Sequence, residues 1–408
     1  MELLNQSEIE SIVKHYGTST IVKWYIEDYS DKLVGYLGEH LRLVITLNSN
    51  GIEKDLKLFV KCMPRNNKWK AKYLKELMFF QKEYIMLSKL FINFKDGEES
   101  RKWRPKLLYI RNDLFVFEDV TEFGYQMPYH RSTMDYNELV SVINAMAKFH
   151  AQSIIYEEKN SKELNRTYRI WEEYSEYLSE PEKGQSWRDT GARAVVDFLK
   201  TYSKYRAQTD YIKYVEVVIP MLFDCAANLM KPRTECRNVV IHRDLWTNNI
   251  FLKKHDNGQI HSLIVDYQTV LYSSPMLDLS SVIYFNTTRS FRDRNTDQLI
   301  DLYYSLLTDE LRLEGIDVLN VIDKKTIVKS YQQSIVFGIT QAALIVPIIA
   351  MSDEMRERTF EDPETCEKMN VVSRSEEFIY LAKQDEEYRN RVIELFDEIS
   401  DRYIFLST

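Results

Sequence analysis

The sequence predicts an α+β protein in two lobes, a small strand-rich N-terminal lobe over residues 1–120 and a large helical C-terminal lobe over residues 121–408. Three observations predict it. Up to Glu118 the chain carries short runs of β-branched and aromatic residues broken by turn-prone segments. From Tyr136 the apolar residues recur at the spacing of an amphipathic helix. A length of 408 residues exceeds one ordinary core without filling three.

The first runs are "STIVKWYIEDYS", "HLRLVITLNS" and "DLKLFVKCMP", separated by "YLGEH" and "NSNGIEKD", and they read as an antiparallel meander. In "KWKAKYLKELMFFQKEYIMLSKLF", Leu74, Leu77, Met78 and Tyr84 recur at helical spacing among charges, which predicts one long amphipathic helix after the third strand. "KLLYI" and "DLFVFEDV", joined by "RNDL", add a hairpin that ends at Glu118-Asp119 and completes five strands and one helix. "YNELVSVINAMAKFHAQSI" opens the large lobe as a clean amphipathic helix, followed by an acidic helical insertion over about residues 155–235, rich in Tyr and Trp. "NIFLKKHDNGQIHSLIVDYQ" reads as a hairpin whose Asn257-Gly258 supplies the positive φ of its turn. The remainder, from about Asp297, is helical. Within it "SIVFGITQAALIVPIIAM" approaches the length of a membrane span. Its Ser, Thr, Gln and Gly residues, and the lack of a basic flank, make it a buried helix ended or kinked near Pro347.

Apolar residues at 44% and charged residues at 28% place the chain among globular rather than disordered proteins. A formal net charge of -8, with no clustered Lys/Arg among aromatics, argues against a nucleic-acid partner and leaves a small molecule as the expected one. Cys62, Cys225, Cys236 and Cys366 form no C-x-x-C pair and are too few to staple this length, so reduced thiols and a cytoplasmic location are expected. The acidic start "MELLNQSEIESIV" does not read as a secretory signal. Oligomeric state is left open.

The chemistry concentrates in "VVIHRDLWTNNIFL", Val239 to Leu252. A hairpin holds its two ends together, so the loop ending at Asn249 and the carboxylate of Asp266 are brought to one edge. Oxygen donors of this kind suit Mg²⁺, which takes one or two protein carboxylates plus substrate phosphates. Asn249 and Asp266 are then candidate metal ligands, and Asp244 is placed to accept a proton from an attacking hydroxyl, the division of labour of phosphoryl transfer. Alone, Asp244 would read as a turn-stabilising side chain; its company favours catalysis. His242 reads better as a hydrogen-bonded brace than as a base.

His242-Arg243-Asp244-Leu245 followed by Asn249 resembles the catalytic loop of the protein-kinase-like superfamily, and Val265-Asp266-Tyr267-Gln268 resembles its metal-binding turn in altered form. More narrowly, "HRDLWTNNIF" and "IVDYQ", with "LFVKCMP", "FQKEY", "FVFEDV" and "MAKFHA", resemble the ecdysteroid kinase-like (CHK) family of arthropods, relatives of choline and aminoglycoside kinases, over about residues 20 to 350. The resemblance implies a two-lobed protein-kinase-like fold and transfer of phosphate from ATP, with Mg²⁺, to a hydroxyl of a small molecule. Ecdysteroids are its best-known substrates and xenobiotic detoxification a proposed role. It implies that Lys61 on the third strand holds nucleotide phosphates, that Glu83 pairs with it, and that Glu118 stands at the nucleotide-binding hinge. A solvated Lys61 is the alternative, and Glu76 lies on nearly the same helical face as Glu83. Asp278 resembles a residue that braces the catalytic loop. Gly35 and Gly38 in "VGYLGEH" fit a phosphate-covering loop or an ordinary hairpin turn equally well.

The short stretch from Asp266 to Asp278 leaves no room for a peptide-docking loop, which favours a small acceptor. The insertion, with Trp171, Tyr174, Tyr177 and Trp187, is the expected lid or wall for a bulky apolar acceptor, with simple helix packing as the alternative. Arg243, with no phosphorylated loop to grip, is expected in a local structural pair. Two rivals stand beside the kinase of apolar alcohols: a choline- or ethanolamine-type kinase, which needs an aromatic and acidic cage, and a non-catalytic binding protein, which need not keep a base and both metal ligands.

Overall fold

The computed structural model describes residues 3–17, 19–30, 37–98, 101–181 and 185–405. Its N-terminal strands are β1 (Thr20–Asp28), β2 (Glu39–Ser49) and β3 (Ile52–Cys62). Later in the chain, β4 (Leu107–Arg111) and β5 (Leu114–Glu118) complete an antiparallel sheet in the order β1-β2-β3-β5-β4. The register sets Lys61 opposite His40 on β2 and Phe115 on β5. Alternation along β2 and β3 sends Leu41, Leu43, Ile45, Leu58 and Val60 to one face, where helix α1 (Gln6–Val13) covers them with Ile9, Ile12 and Val13. Each such buried side chain contributes about 1.5–3 kcal/mol. Asn5 caps α1 in a reciprocal bond with Glu8.

The expected single helix after β3 is broken. The chain forms α2 (Lys68–Glu76), turns through Met78 at φ 58°, and restarts as α3 (Phe79–Ile85), followed by a wider turn over Met86–Leu90. Leu74 and Phe80 would fall on different faces of an unbroken helix, yet both are buried in the cluster around Phe115. The break satisfies both, and it turns Glu83 inward while Glu76 stays exposed.

The large lobe is built on α4 (Tyr136–Glu163), which starts with an Asp135–Glu138 capping box, followed by α5 (Trp171–Tyr174), α6 (Gln185–Tyr202) and α7 (Tyr211–Leu229). Two small antiparallel pairs follow. In one, β6 (Val239–Ile241) pairs with β9 (Leu271–Ser273); the other is the hairpin of β7 (Ile250–Lys254) and β8 (Ile260–Ile264). Gly258 adopts φ 81° in its loop, which closes with a bond from His255 N–H to the Gln259 carbonyl at 2.8 Å. Helices α8 (Pro275–Asn286), α9 (Arg289–Leu313), α10 (Lys324–Ile349), α11 (Asp353–Glu361), α12 (Pro363–Val371), α13 (Ser375–Gln384) and α14 (Glu386–Ser400) complete the chain.

Every residue of α8 is buried, and α10 lies along it. By length and composition α10 could cross a membrane, but 72% of its most apolar window is buried inside the protein. Pro347 sits within it near its end. The two helices approach so closely at Gly338 that an added Cβ would meet backbone atoms of Ser280 at 2.8 Å. Backbone cannot swing aside as a side-chain tip can, so Gly338→Ala is expected to destabilise the fold by about 1–3 kcal/mol. Urea unfolding checks this, and an unchanged midpoint would contradict it.

Candidate active site

The loop between β6 and β7 is held from three sides. Asp278, at the first turn of α8, accepts from the backbone N–H groups of His242 and Arg243, both at 2.6 Å, and from His150 Nε2 at 3.0 Å. Thr269 Oγ1 donates to the His242 carbonyl at 3.0 Å, and Asn286 Nδ2 donates to the Leu245 carbonyl at 2.9 Å. Burial holds the His242 imidazole below its usual range and thus neutral. Its Nε2–H donates to the Val265 carbonyl at 2.9 Å, which leaves Nδ1 to accept from the Asp244 N–H at 3.4 Å. His242 is a brace between loop and hairpin, with no proton to give at the cleft.

This bracing delivers Asp244 and Asn249 to the cleft. Asn249 Nδ2 donates to the backbone carbonyl of Asp244 at 2.8 Å and to its Oδ2 at 3.0 Å. Burial, and then the charge of Asp266, lifts the Asp244 carboxyl to about 6, against the hydrogen bonds from Trp246 and Asn249. Asp266 closes the hairpin in the left-handed region at φ 73°. It accepts from Lys61 Nζ at 2.9 Å and from Gln268 Nε2 at 3.2 Å.

Lys61 is buried and not solvated. Its Nζ also reaches Glu83 Oε2 at 2.5 Å, while the other carboxylate oxygen of Glu83 takes the Tyr267 N–H at 3.2 Å. Burial works against the ammonium, but Asp266 and Glu83 outweigh it and push Lys61 up to about 12. The choice between Glu76 and Glu83 is thereby decided by the Met78 break. Glu118 lies at the cleft edge, its carboxylate spent on the Lys102 ammonium and the Lys106 N–H. Gly38 lines the cleft, whereas Gly35 lies outside the described residues. Arg243, at φ 74°, pairs with Glu180.

The donor set fits Mg²⁺. Asp266 offers a carboxylate, and Asn249, with its nitrogen turned to Asp244, presents an Oδ1 that accepts no bond among the described residues. Those residues contain no group of three or more His, Cys, Asp or Glu side chains that would form a dedicated metal cage. Two protein oxygens with the remaining positions left to phosphates and water is the pattern of a nucleotide-associated Mg²⁺.

The cleft encloses about 1910 Å³, open solvent at its mouth included. One end lies under the sheet and its hinge, with Phe59, Phe117 and Val120; the other lies against helices. The helical wall differs from the one expected. Trp171 stacks on Tyr272, and Tyr174 and Tyr177 pack into the main core, so these three form no lid. The buried carboxylate of Glu157 holds this segment down, taking the Ile170 N–H, the Tyr272 hydroxyl and Arg237. Of the four aromatics only Trp187 reaches the cleft. The rest of the wall includes Ile345 and Ile348 of α10, Phe360 of α11 and Cys366 of α12, with Tyr73 and Leu77 of the small lobe also lining the cleft. The apolar run containing α10 was legible, but nothing in it separates a core-facing side chain from a cleft-facing one. Lys82 carries no sequence signal that sets it apart from its surface neighbours. It is buried beside Glu83 and donates to the Ser179 and Val270 carbonyls at 3.1 and 3.2 Å, tying α3 to the large lobe.

A five-stranded sheet with an inward lysine and its glutamate partner, joined to a helical lobe that presents a braced Asp-Asn loop and a hairpin aspartate, is the protein-kinase-like fold. The chain belongs to the ecdysteroid kinase-like family, whose model matches residues 32–315. No curated protein matches the sequence. Among solved structures, the chain is similar to an ethanolamine kinase of Plasmodium vivax, with 10% identity, 96% of this chain and 86% of that one covered, and a TM-score of 0.37. It is similar to the choline kinase LicA of Streptococcus pneumoniae, with 11% identity, 81% and 97% covered and a TM-score of 0.34. It is also similar to the GDP complex of aminoglycoside 2'-phosphotransferase-IIIa, with 10% identity, 96% and 98% covered and a TM-score of 0.39.

Asp278→Asn would set an amide where two backbone N–H groups and His150 need an acceptor. It is expected to cost at least about 2 kcal/mol of stability in urea unfolding, and a variant as stable as the parent would contradict the bracing role.

Proposed function

We propose that the protein is an ATP-dependent O-phosphotransferase that acts on a hydroxyl of an apolar small molecule, with an ecdysteroid or similar steroid alcohol as first candidate. The observation that carries this reading is the meeting of Lys61, Glu83, Asp244, Asn249 and Asp266 at one cleft whose far end is walled by apolar side chains. In the proposal Lys61, fixed by Glu83, receives nucleotide phosphates, and the main chain near Glu118 borders the base. Asn249 and Asp266 hold Mg²⁺, which when bound neutralises charge on the phosphate oxygens. Asp244 orients the acceptor hydroxyl and takes its proton as the oxygen attacks. Its raised carboxyl is a better base than an exposed aspartate and remains ionised at neutral pH.

The walls favour a neutral acceptor over choline or ethanolamine. Among the described residues at the helical end of the cleft the one carboxylate is Glu180, and Arg243 neutralises it. A cage for a cation would need unpaired negative charge there. Hormone inactivation and detoxification would use the same chemistry. A binding protein without catalysis is disfavoured by the base and metal-ligand set.

A mass-spectrometric screen tests the reading. Wild type and Asp244→Asn are incubated with Mg²⁺, ATP and a panel of ecdysteroids, plant alcohols, choline and ethanolamine. A phosphate ester is expected from the wild type, with turnover about 10²- to 10⁴-fold lower in the variant and nucleotide binding retained. Because Asp244 must be ionised, wild-type kcat/KM for MgATP should fall as the pH drops through about 6. A variant with near-normal turnover would remove Asp244 from its role, and bound nucleotide without any product would favour the binding-protein reading.

A further inference from the structure

Most of the helical wall is apolar, and one polar group stands out within it. Asn370, on α12, is only 3% exposed, yet it lines the cleft. Its Nδ2 donates to the Cys366 carbonyl at 2.7 Å. A backbone carbonyl can only accept, so this bond fixes which way the amide is turned, with nitrogen towards Cys366 and oxygen away. Nothing among the described residues donates to Oδ1, and the residue borders the cleft. A carboxamide oxygen left without a donor beside an apolar wall is unfavourable unless a ligand or water supplies one. On the neighbouring helix α10, Gln341 also lines the cleft and makes no hydrogen bond among the described residues. It can donate or accept, whereas Asn370, whose nitrogen already faces the Cys366 carbonyl at 2.7 Å and Sγ at 3.6 Å, has its oxygen left to accept with.

Building on the phosphotransferase reading, we infer that Asn370 Oδ1 is a specificity subsite that accepts a hydrogen bond from a second hydroxyl of the acceptor. The acceptor is thus a rigid apolar molecule with hydroxyls at separated positions, one presented to Asp244 and another donating to Asn370. Between them Ile345, Ile348 and Phe360 supply the apolar surface that a hydrocarbon frame would cover. Both carboxamides lie beyond residues 32–315, the part matched by the family model. A ketone in place of the second hydroxyl offers Asn370 no donor. A mono-alcohol leaves its oxygen unpaired under a hydrocarbon.

The test is calorimetric titration of androstanediol, of androstanol and of the corresponding hydroxyketone into the full chain with MgADP present. Wild type is expected to bind the diol about tenfold more tightly than either analogue, the effect of one buried hydrogen bond. Asn370→Leu should bind all three alike while its affinity for MgADP is unchanged. Equal binding of the three by the wild type, no binding of any, or a preference that survives in Asn370→Leu would overturn the subsite. The wild-type comparison stands even if that variant does not fold. Because the readout is binding, a protein that shows the preference but forms no phosphate ester contradicts the kinase reading and leaves the subsite in place.

Discussion

Lys61 is a buried cation, and it keeps its charge because two carboxylates from distant parts of the chain converge on it. Glu83 comes from the helix beyond the Met78 break and Asp266 from the end of the hairpin in the other lobe. Removing the ammonium would leave the buried carboxylate of Glu83 uncompensated beside Asp266, at a cost of about 3–5 kcal/mol. The strand, the helix and the hairpin are therefore held in one arrangement by a single ammonium. The second carboxylate oxygen of Glu83 extends the tie to the Tyr267 backbone, and Gln268 steadies Asp266 from the far side. Behind these lies the network on Asp278, which fixes the loop carrying Asp244 without touching the cleft.

Much of this was legible in the sequence because it is local. The strands show as β-branched runs, the hairpin as its turn, and the reactive side chains as a dense polar interruption of an apolar stretch. The Met78 break was not legible, since the helical period runs through it and methionine carries no signal for a left-handed residue. It is imposed by tertiary demand, the need to bury Leu74 and Phe80 on the same cluster, and it also decides between Glu76 and Glu83. The helical wall of the cleft was illegible for a related reason. Trp171, Tyr174 and Tyr177 look like pocket aromatics, but Glu157 draws their segment onto the core, while α10 to α12 reach the cleft through contacts far apart in sequence.

The cleft thus has two halves with different dependence on the rest of the fold. The half under the sheet is bound to the Lys61 cluster, where any change of charge is felt by three elements at once. The half against the helices is lined by side chains from α6, α10, α11 and α12, none of which bonds to that cluster. The neutral character of the helical half follows from the pairing of Arg243 with Glu180 as much as from its hydrocarbon surface.

Lys61, Asn249 and Asp266 are proposed as a site for a metal-bound nucleotide. Calorimetric titration of ADP with and without Mg²⁺, into wild type and Asp266→Asn, tests it most directly. Mg²⁺ is expected to tighten ADP binding to the wild type and to have little effect in Asp266→Asn. Binding that is indifferent to Mg²⁺ in the wild type, or an Mg²⁺ effect that survives in the variant, would contradict it.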